Sequence, residues 1–409
     1  MDLSKKKLSG SQILQVTSVD QVLSMLPDVA PTIYARAGEA EAARRVPTEI
    51  LQLLTSTGIF RMTVPKVHGG LELDFPAVAR ALQALAKIDG SIGWLGTLAN
   101  ATGMAMPLLP RDAYEKLYRD GPDPSIAAVS QPAGIAVSEP GGLRVSGRWP
   151  FASGCEDADW ILGMCVLNQD GKPVLGPAEG IPALRAVCLP AREWQIDDTW
   201  QAPGLRATGS HHVVLNDVFV PSENVVDMTS PRACVPGPLY ANPMQMFPLL
   251  HGPIALGLAE GALEDLAALA VGGRKQQRSP VSMRDSEIFQ YEIGRVQAGF
   301  RAAQAAFDVQ AASQWQRAIA GTLDQSLYAE ATQSVIWVTE ACLQVVQSCF
   351  ALAGSAALSG ALALQRRLRD MQTAAQHAAV QQRHYVSAGE AFLRKMAPAA
   401  QESQSLSAP

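Results

Sequence analysis

The stretch that decides the fold lies near the middle of the chain and reads Gly147-Arg148-Trp149-Pro150-Phe151-Ala152-Ser153-Gly154. Just before it, Leu143 and Val145 alternate with polar residues, which is the period of a half-buried strand. Residues 160–167 and 213–220 contain further apolar runs of strand length, and Gly, Pro and Asp clusters separate them. This spacing predicts a central β domain over residues 126–235, built as an antiparallel barrel or sandwich.

Helical periodicity surrounds this β segment on both sides. Upstream, Val78, Leu82 and Leu85 recur at helical spacing before the breaker Asp89-Gly90. Downstream, apolar residues step by three and four along two long segments: Phe289, Ile293, Val296, Phe300, Ala303 and Phe307, then Leu327, Ala331, Val335, Val338, Cys342, Val345 and Cys349. The sequence therefore predicts an α+β protein divided into a flexible tail (1–20), an N-terminal helical domain (21–125), the β domain (126–235), a C-terminal helical bundle (236–395) and a second flexible tail (396–409).

The bulk composition excludes several classes of protein. The 409 residues, 48% hydrophobic and 17% charged, are enough to bury a sizeable core. A net charge of −5 and a pI of about 5.7 disfavour a nucleic-acid binder. The six cysteines form no C-x-x-C pair, so we expect reduced thiols and no zinc site. Neither a signal-peptide pattern nor a run of eighteen apolar residues occurs, so we expect a cytoplasmic protein that does not enter a membrane.

Four short motifs, each weak alone, occur in the order of the acyl-CoA dehydrogenase family, which the chain therefore resembles. They are Val64-Pro65 with His68-Gly69-Gly70, the block 147–154, the segment 204–210 (GLRATGS) followed by 217–221 (DVFVP), and Leu364-Gln365-Arg366 with Arg369-Asp370. The wording "WPFASG", "GLRATGS", "DVFVP", "AGSAAL" and "LQRRLRD…AAQH" is more similar to the oxygenase components of two-component flavin monooxygenases. The resemblance implies an acyl-CoA dehydrogenase-like fold whose C-terminal part is a four-helix bundle.

The resemblance also implies an activity. The chain would be a flavin-dependent monooxygenase that receives reduced flavin, FMN or FAD, from a separate NAD(P)H:flavin reductase. With O2 the flavin would form a C4a-hydroperoxide that oxygenates a small aromatic or polycyclic substrate, and the protein would be a homotetramer. Two alternatives stay open: an acyl-CoA dehydrogenase or oxidase type of flavoenzyme acting on an acyl or aryl thioester, and a non-catalytic flavin-binding paralogue.

The choice of the monooxygenase branch depends on a missing carboxylate. A dehydrogenase needs a general base beside the carbon next to the thioester carbonyl. The family places this Glu nine residues before the Asp of the Arg-Asp pair, where this chain has Ala361, or else on the helix that opens the C-terminal bundle. The second region corresponds to residues 244–259, which contain no acid. Glu260 and Glu264 follow and are expected on the outer part of that helix.

Two residues are predicted to be catalytic. Ser153 ends the flavin strand of the resemblance, where the family places a hydroxyl beside flavin N5, and a hydroxyl both donates and accepts hydrogen bonds. His377 occupies the "AAQH" position of the related hydroxylases and can move a proton near neutral pH. Because His377 follows Asp370 by seven residues, the two are expected on one helical face together with Thr373.

The predicted cofactor contacts are Ser130, Trp149, Ser153, Gly154, Arg274, Gly354 and Ser355. Arg274 stands at the position of the arginine in the family's R-x-x-x-F-G motif, although the Phe-Gly half of the motif is absent here. A guanidinium suits a flavin phosphate. Gly354-Ser355 resembles the family's glycine pair at a turn beside the flavin. Ser130 and Trp149 are plausible flavin contacts, and a structural role in the β domain is equally open for both.

The predicted substrate contacts are Trp94, Asn100 and His377, the first two from the "GSxGW" helix and the turns that follow it. Asn100 could hydrogen-bond a substrate carbonyl, and core duty is equally open. Many of the related hydroxylases carry a histidine just after this tryptophan, and this chain has none there, which puts a simple phenol substrate in doubt. His211-His212 is not expected to bind a metal, because adjacent strand residues point to opposite faces.

Overall fold

The computed structural model describes residues 16–396 except 178, 179, 278 and 361. Most of both predicted tails, and the position of Ala361, lie outside the described residues. The chain forms two compact units. Unit 1 runs to Gln201 and adds Arg206–Val235, and unit 2 consists of Ala202–Leu205 with the chain from Pro236 onward. The finer division of unit 1 into a helical and a β domain stays a prediction.

Helices precede and follow the strands, as the periodicities predict. Unit 1 contains α1 (Val19–Ala43), α2 (Thr48–Ser56), α3 (Phe75–Ile88), α4 (Gly90–Ala105) and α5 (Arg111–Leu117). Its strands are β1 (Ile126–Glu139), β2 (Gly142–Ala152), β3 (Trp160–Gln169), β4 (Lys172–Pro173), β5 (Leu184–Pro190), β6 (Gln195–Asp197), β7 (His211–Pro221) and β8 (Val225–Asp227). Unit 2 contains α6 (His251–Val271), α7 (Glu287–Ile319), α8 (Gln325–Ala353), α9 (Leu364–Ala374) and α10 (Tyr385–Met396).

The strands form one sheet in the order β6-β7-β2-β1-β3-β5-β8, with β4 paired to β3. The prediction of a wholly antiparallel domain is wrong in one place, because β1 and β3 run parallel. The segment 213–220 is one continuous strand although Asn216-Asp217 reads as a turn. Asp217 takes a left-handed conformation with φ 54°, and the register with β2 shifts nearby, so the strand absorbs the irregularity as a bulge.

The core of the sheet is built around Trp149, which is fully buried and donates its indole N–H to the carbonyl of Met164 at 2.6 Å. Its ring meets Trp194 edge to face with centroids 5.0 Å apart. Glycines leave the space that the ring fills, since a Cβ on Gly147 or Gly163 would lie within 3.0 Å of its atoms. Close packing against Trp149 therefore explains why positions 147 and 163 are glycines.

The junction between α3 and α4 places the helix that carries Trp94. Asp89 ends α3 and caps α4, where its carboxylate accepts the N–H of Ile92 at 3.1 Å. Gly93 lets the two helices approach closely, because a Cβ there would lie 2.6 Å from Ala86. The predicted breaker at Asp89-Gly90 thus reverses the chain, and the first turn of α4 is held firmly against α3.

In unit 2 the long helix α8 packs against α6, α7 and α9. The residues around it, Ser326–Leu358, form a helical segment that is long and apolar enough to cross a membrane by length and composition. The core helix of a soluble protein passes the same test, and 39% of this apolar window is buried inside the structure. A buried ion pair joins α9 to α6, where Arg367 Nε donates to Asp265 at 2.7 Å. The cytoplasmic location stays a prediction.

Candidate functional site

Unit 1 contains a cluster of one indole and three buried hydroxyls, here called the indole–hydroxyl cluster: Trp94, Ser153, Thr208 and Ser210. The indole Nε1 of Trp94 donates to Ser153 Oγ at 3.2 Å. Ser153 Oγ lies 2.7 Å from Ser210 Oγ, which lies 2.6 Å from Thr208 Oγ1. The structure thus brings together Trp94 and Ser153, two residues that the sequence analysis assigned separately to substrate and flavin.

Two chain segments position the three hydroxyls of this cluster. Ser153 follows the end of β2, and Gly154 turns the chain away with φ 74°, a left-handed conformation that suits glycine. Gly154 donates its backbone N–H to the Thr208 carbonyl at 2.8 Å, which ties the strand end to the short 3-10 turn Arg206–Thr208. The predicted position of Gly154 therefore has a structural reason, since this backbone bond sets Thr208 and Ser210 behind Ser153.

Thr97 is a residue of this region that the sequence analysis missed. It lies on α4 one turn after Trp94 and is 6% exposed. A helical threonine commonly bonds the carbonyl four residues earlier. The Thr97 hydroxyl is nevertheless buried without a hydrogen-bond partner in the part of the chain that the structure describes. The position after Trp94, where the related hydroxylases carry a histidine, was the available signal.

The prediction that Asn100 binds substrate needs correction. Its side chain is fully buried, and its amide nitrogen donates to the carbonyls of Ile59 and Gly96 at 2.9 and 2.8 Å. Its amide oxygen accepts the backbone N–H of Thr63 at 3.2 Å. These bonds fix the loop after α2 against α4, so the amide has a structural role and is already satisfied.

The structure separates the two residues that were open between flavin contact and structural duty. Trp149 is a core residue, because both its ring and its N–H are enclosed within the sheet. The prediction of a flavin contact is corrected at this position. Ser130 is exposed on β1 beside an irregularity in the pairing with β3, between Val129 and Pro132. Its flavin contact stays a prediction.

Unit 2 contains a pair of histidines, His251 and His377, here called the histidine pair. Their ring centroids are 4.3 Å apart with an interplanar angle of 34°. Burial lowers the pKa of His377 to about 4. Burial first, and then the neighbouring His377, lower the pKa of His251 well below its usual range. Both rings are therefore neutral at pH 7, and neither is a cation at rest.

The local structure around His377 differs from the prediction. Helix α9 ends at Ala374, and His377 begins the next short turn, where its Nδ1 accepts the N–H of Ala379 at 3.2 Å. His377 and Asp370 consequently do not share a helical face. Asp370 instead accepts the backbone N–H of Leu205 at 2.6 Å. His251 was overlooked because the segment 244–259 was searched for acids only.

Arg274 lies beside Gly354-Ser355 in unit 2, and the flavin contact of these residues stays a prediction. Arg274 Nη2 donates to Ser355 Oγ at 3.2 Å, and Gly354 ends α8 with φ 58°. The Nε atom of Arg274 is buried without a hydrogen-bond partner among the described residues. A guanidinium with unused donors beside a hydroxyl is chemically suited to a phosphate.

The metal and cysteine predictions concern residues that pack within the described part of the chain. His211 Nδ1 accepts the N–H groups of Thr199 and Trp200 at 3.2 and 3.3 Å, which gives this ring a structural role. No group of three His, Cys, Asp or Glu residues able to hold a metal ion is found among the described residues. Burial raises the pKa of the Cys155, Cys165 and Cys188 thiols to about 12, so these three sulfurs are unreactive at neutral pH.

Comparison with known proteins agrees with this architecture. Residues 24–115 match the family model "Acyl-CoA dehydrogenase, N-terminal domain" and residues 249–382 match "Acyl-CoA dehydrogenase, C-terminal domain". Among similar proteins, the flavin-dependent monooxygenase oxygenase subunit HsaA of Rhodococcus jostii (strain RHA1) is 28% identical over 369 residues, which cover 87% of this chain and 94% of the relative.

Two further proteins carry flavin in their names or crystals. The FADH(2)-dependent resorcinol hydroxylase, oxygenase component, of Rhizobium sp. (strain MTP-10005) is 32% identical over 267 residues, 62% of each chain. XiaF from Streptomyces sp., solved in complex with FADH2 and glycerol, superposes with a TM-score of 0.85 at 25% identity and covers 95% of this chain and 98% of its own.

Proposed function

The chain belongs to the acyl-CoA dehydrogenase family and, within it, to the flavin-dependent monooxygenases, and we propose that it is the oxygenase component of a two-component system that acts on an aromatic substrate. The family match confirms the predicted fold class, the enzyme class and the reduced-flavin cofactor. Two of the relatives are named as an oxygenase subunit and an oxygenase component, which implies a separate flavin reductase.

The observation that carries this proposal is the absence of a carboxylate where a dehydrogenase needs its base. In the first half of α6, the residues 252–259 are buried and none of them is acidic. The first acids of the helix, Glu260 and Glu264, line an open groove together with Gln297 and Arg301 of α7. At the buried end of the helix there are two neutral imidazoles. A neutral imidazole N–H can donate a hydrogen bond to a phenolic or leaving oxygen, whereas a dehydrogenase needs an ionised carboxylate as its base.

Each of the two units contains residues that are chemically suited to a flavin. The Ser153 hydroxyl is held by Trp94 and can donate or accept at a flavin nitrogen. Arg274, with its buried and unpartnered Nε, and Ser355 offer donors to a flavin phosphate. When bound, reduced flavin would supply oxygen activation through its C4a-hydroperoxide. The two relatives named with FADH2 favour FAD over FMN.

His377, Trp94 and Thr97 are proposed to serve the substrate. Because burial lowers its pKa to about 4, His377 is a neutral imidazole at pH 7; since its Nδ1 accepts from Ala379, its Nε2 carries the hydrogen and can donate to a substrate oxygen. The Trp94 ring offers an aromatic surface, and the Thr97 hydroxyl offers a hydrogen bond that the protein itself leaves unused. An aromatic substrate with a hydroxyl or ring N–H group would suit Trp94 and Thr97 of unit 1. A homotetramer remains part of this proposal.

A pair of measurements tests the proposal against its two alternatives. The protein is loaded anaerobically with photoreduced FAD or FMN and mixed with oxygen in a stopped-flow instrument while the absorbance of a transient flavin–oxygen adduct is followed. In parallel, phenols and indoles are supplied with a flavin reductase and ¹⁸O₂, and products are analysed by mass spectrometry. We expect a transient adduct and one ¹⁸O atom in the product.

Other outcomes would contradict the proposal. Bleaching of an electron-acceptor dye by an acyl-CoA, without ¹⁸O incorporation, would favour the dehydrogenase. Tight flavin binding without any oxygen adduct would favour a non-catalytic paralogue. A matched control is the Ser138→Ala variant, because Ser138 is an exposed serine on β1 outside the cluster. It should behave as the unmodified protein in both assays.

A further inference from the structure

The three hydroxyls behind Trp94 form an unbroken chain that the proposed function does not yet use. Ser153, Ser210 and Thr208 are 6%, 4% and 1% exposed, so water does not compete freely for their bonds. Ser210 lies between the other two at ordinary O–H···O distances of 2.7 and 2.6 Å. Trp94 contributes a donor only, because an indole has no acceptor.

Counting donors and acceptors shows that the row of hydroxyls has two possible directions of hydrogen bonding. A hydroxyl carries one proton and two lone pairs, and Trp94 always occupies one lone pair of Ser153. When Ser153 donates to Ser210, its second lone pair is left to accept a hydrogen bond from outside the chain. When Ser210 donates to Ser153, both lone pairs are filled and the Ser153 proton is left to be donated. The direction of the Ser153–Ser210 bond therefore decides whether Ser153 is an acceptor or a donor.

A flavin needs both behaviours. Reduced flavin carries a proton on N5 and is a donor there, whereas oxidised flavin has a lone pair on N5 and is an acceptor. We propose that Ser210 and Thr208 are positioning residues that let the Ser153 hydroxyl reverse its direction between the two flavin states. The reversal is a rotation of the hydroxyl O–H groups, in which no covalent bond is broken and no proton is lost. This inference rests on the proposed function, because it requires Ser153 to face flavin N5.

Once the row of hydroxyls is interrupted, the protein should no longer stabilise oxidised and reduced flavin equally. In a Ser210→Ala variant, Ser153 can accept from reduced flavin only if its own buried proton has no acceptor. It can donate to oxidised flavin at the smaller cost of one unfilled lone pair. Leaving a buried donor without an acceptor is the costlier of the two defects. We therefore expect Ser210→Ala to weaken the binding of reduced FAD roughly tenfold relative to oxidised FAD, which is about 30 mV in the two-electron potential of the bound flavin.

The experiment measures the Kd of oxidised FAD and of anaerobically reduced FAD, together with the potential of the bound flavin, for each variant. Thr208→Val should shift the Kd ratio in the same direction by a smaller factor, since Ser210 still accepts from Ser153. Thr57→Val is the matched control, because Thr57 is a fully buried threonine whose hydroxyl bonds Leu54 within its own chain segment. Urea denaturation of every variant shows that it is folded.

A double-mutant cycle completes the test. In a Ser153→Ala background the further change Ser210→Ala should leave the Kd ratio where Ser153→Ala alone put it, because Ser210 acts only through Ser153. An unchanged ratio in Ser210→Ala, or an effect that persists without the Ser153 hydroxyl, would overturn the inference while the oxygenase proposal stands. If the unmodified protein bound neither form of flavin, the proposed function and this inference would fall together.

Discussion

The indole–hydroxyl cluster of unit 1 and the histidine pair of unit 2 hold their polar groups in opposite ways. In the cluster each hydroxyl is placed by short hydrogen bonds, from Trp94 through Ser153 to Ser210 and Thr208. In the pair the rings stack at 4.3 Å, and burial keeps them neutral by lowering their pKa values. The cluster should therefore respond to the loss of single hydroxyls, and the pair should respond to pH.

The largest effect is expected from Ser153→Ala, which removes the hydroxyl that accepts from Trp94. Trp94 would lose its acceptor and the flavin would lose its partner at N5. Removal of one positioned hydrogen-bonding group at a reacting centre typically costs about 100-fold in rate. We expect a loss of that order in product formed per reduced flavin, with peroxide formed in its place. Single-turnover product analysis checks this, and Ser138→Ala should retain full coupling. A fully coupled Ser153→Ala enzyme would contradict the role.

The second prediction concerns pH and the histidine pair. The pKa of His377 falls from an ordinary 6.5 to about 4 on burial. Above pH 6.5 neither the folded nor the unfolded chain protonates this ring. Between pH 6.5 and 4 the unfolded chain takes up a proton that the folded chain refuses, so stability is lost as the pH falls through this window. His251 contributes in the same direction.

His377→Gln should remove part of this acid sensitivity. The difference in the free energy of unfolding between pH 7.5 and pH 4.5 should shrink by about 2 kcal/mol relative to the unmodified protein. Urea titrations at the two pH values measure it. His384→Gln is the control, since His384 lies on the chain just before α10 and outside the pair. Parallel acid losses in His377→Gln and the unmodified protein would show that burial does not hold this ring neutral.

The smallest effect is expected from Thr97→Val, which tests whether the orphan hydroxyl on α4 serves the substrate. Because the hydroxyl has no partner in the described part of the protein, the isosteric change should leave stability unchanged or raise it slightly. The KM for an aromatic substrate should rise about fivefold, the loss of one hydrogen bond of about 1 kcal/mol. Thr102→Val on the same helix is the control, because its hydroxyl bonds the Ala99 carbonyl. Stability should fall there while KM stays constant; an unchanged KM in Thr97→Val would exclude the contact.

The sequence predicted the element types well where the signal is local. The periods of two and of three to four residues located the strands and the long helices, and Asp89-Gly90 marked the junction between α3 and α4. Prediction from the sequence failed where the interacting residues are far apart along the chain. The parallel pairing of β1 with β3 depends on the path of the chain between them. The bulge at Asp217 depends on how β7 pairs with β2, and the local sequence does not contain that information.

The site residues divide in the same way. Ser153, Gly154, Arg274 and Ser355 were assigned to the cofactor from short motifs, and each has a polar partner in the structure; their contact with flavin stays a prediction. Trp149 and Asn100 were assigned to ligands because an aromatic ring or an amide in a motif has the same letters whether it faces a ligand or the core. Only the enclosing contacts with Met164, and with Ile59 and Gly96, distinguish the two cases.

By itself the sequence determined the α+β order of this chain, its family, and the lack of an acid in residues 244–259, because periodicity and motifs are properties of neighbouring residues. The tertiary structure decided which hydroxyls stand behind Ser153 and which ring stands beside His377. Ser153 lies 57 residues from Ser210 and 59 from Trp94 along the chain, so their hydrogen bonds exist only once the strand end, the turn and α4 have packed together. Burial is likewise a property of the packed chain, and it is burial that keeps His377 neutral at pH 7.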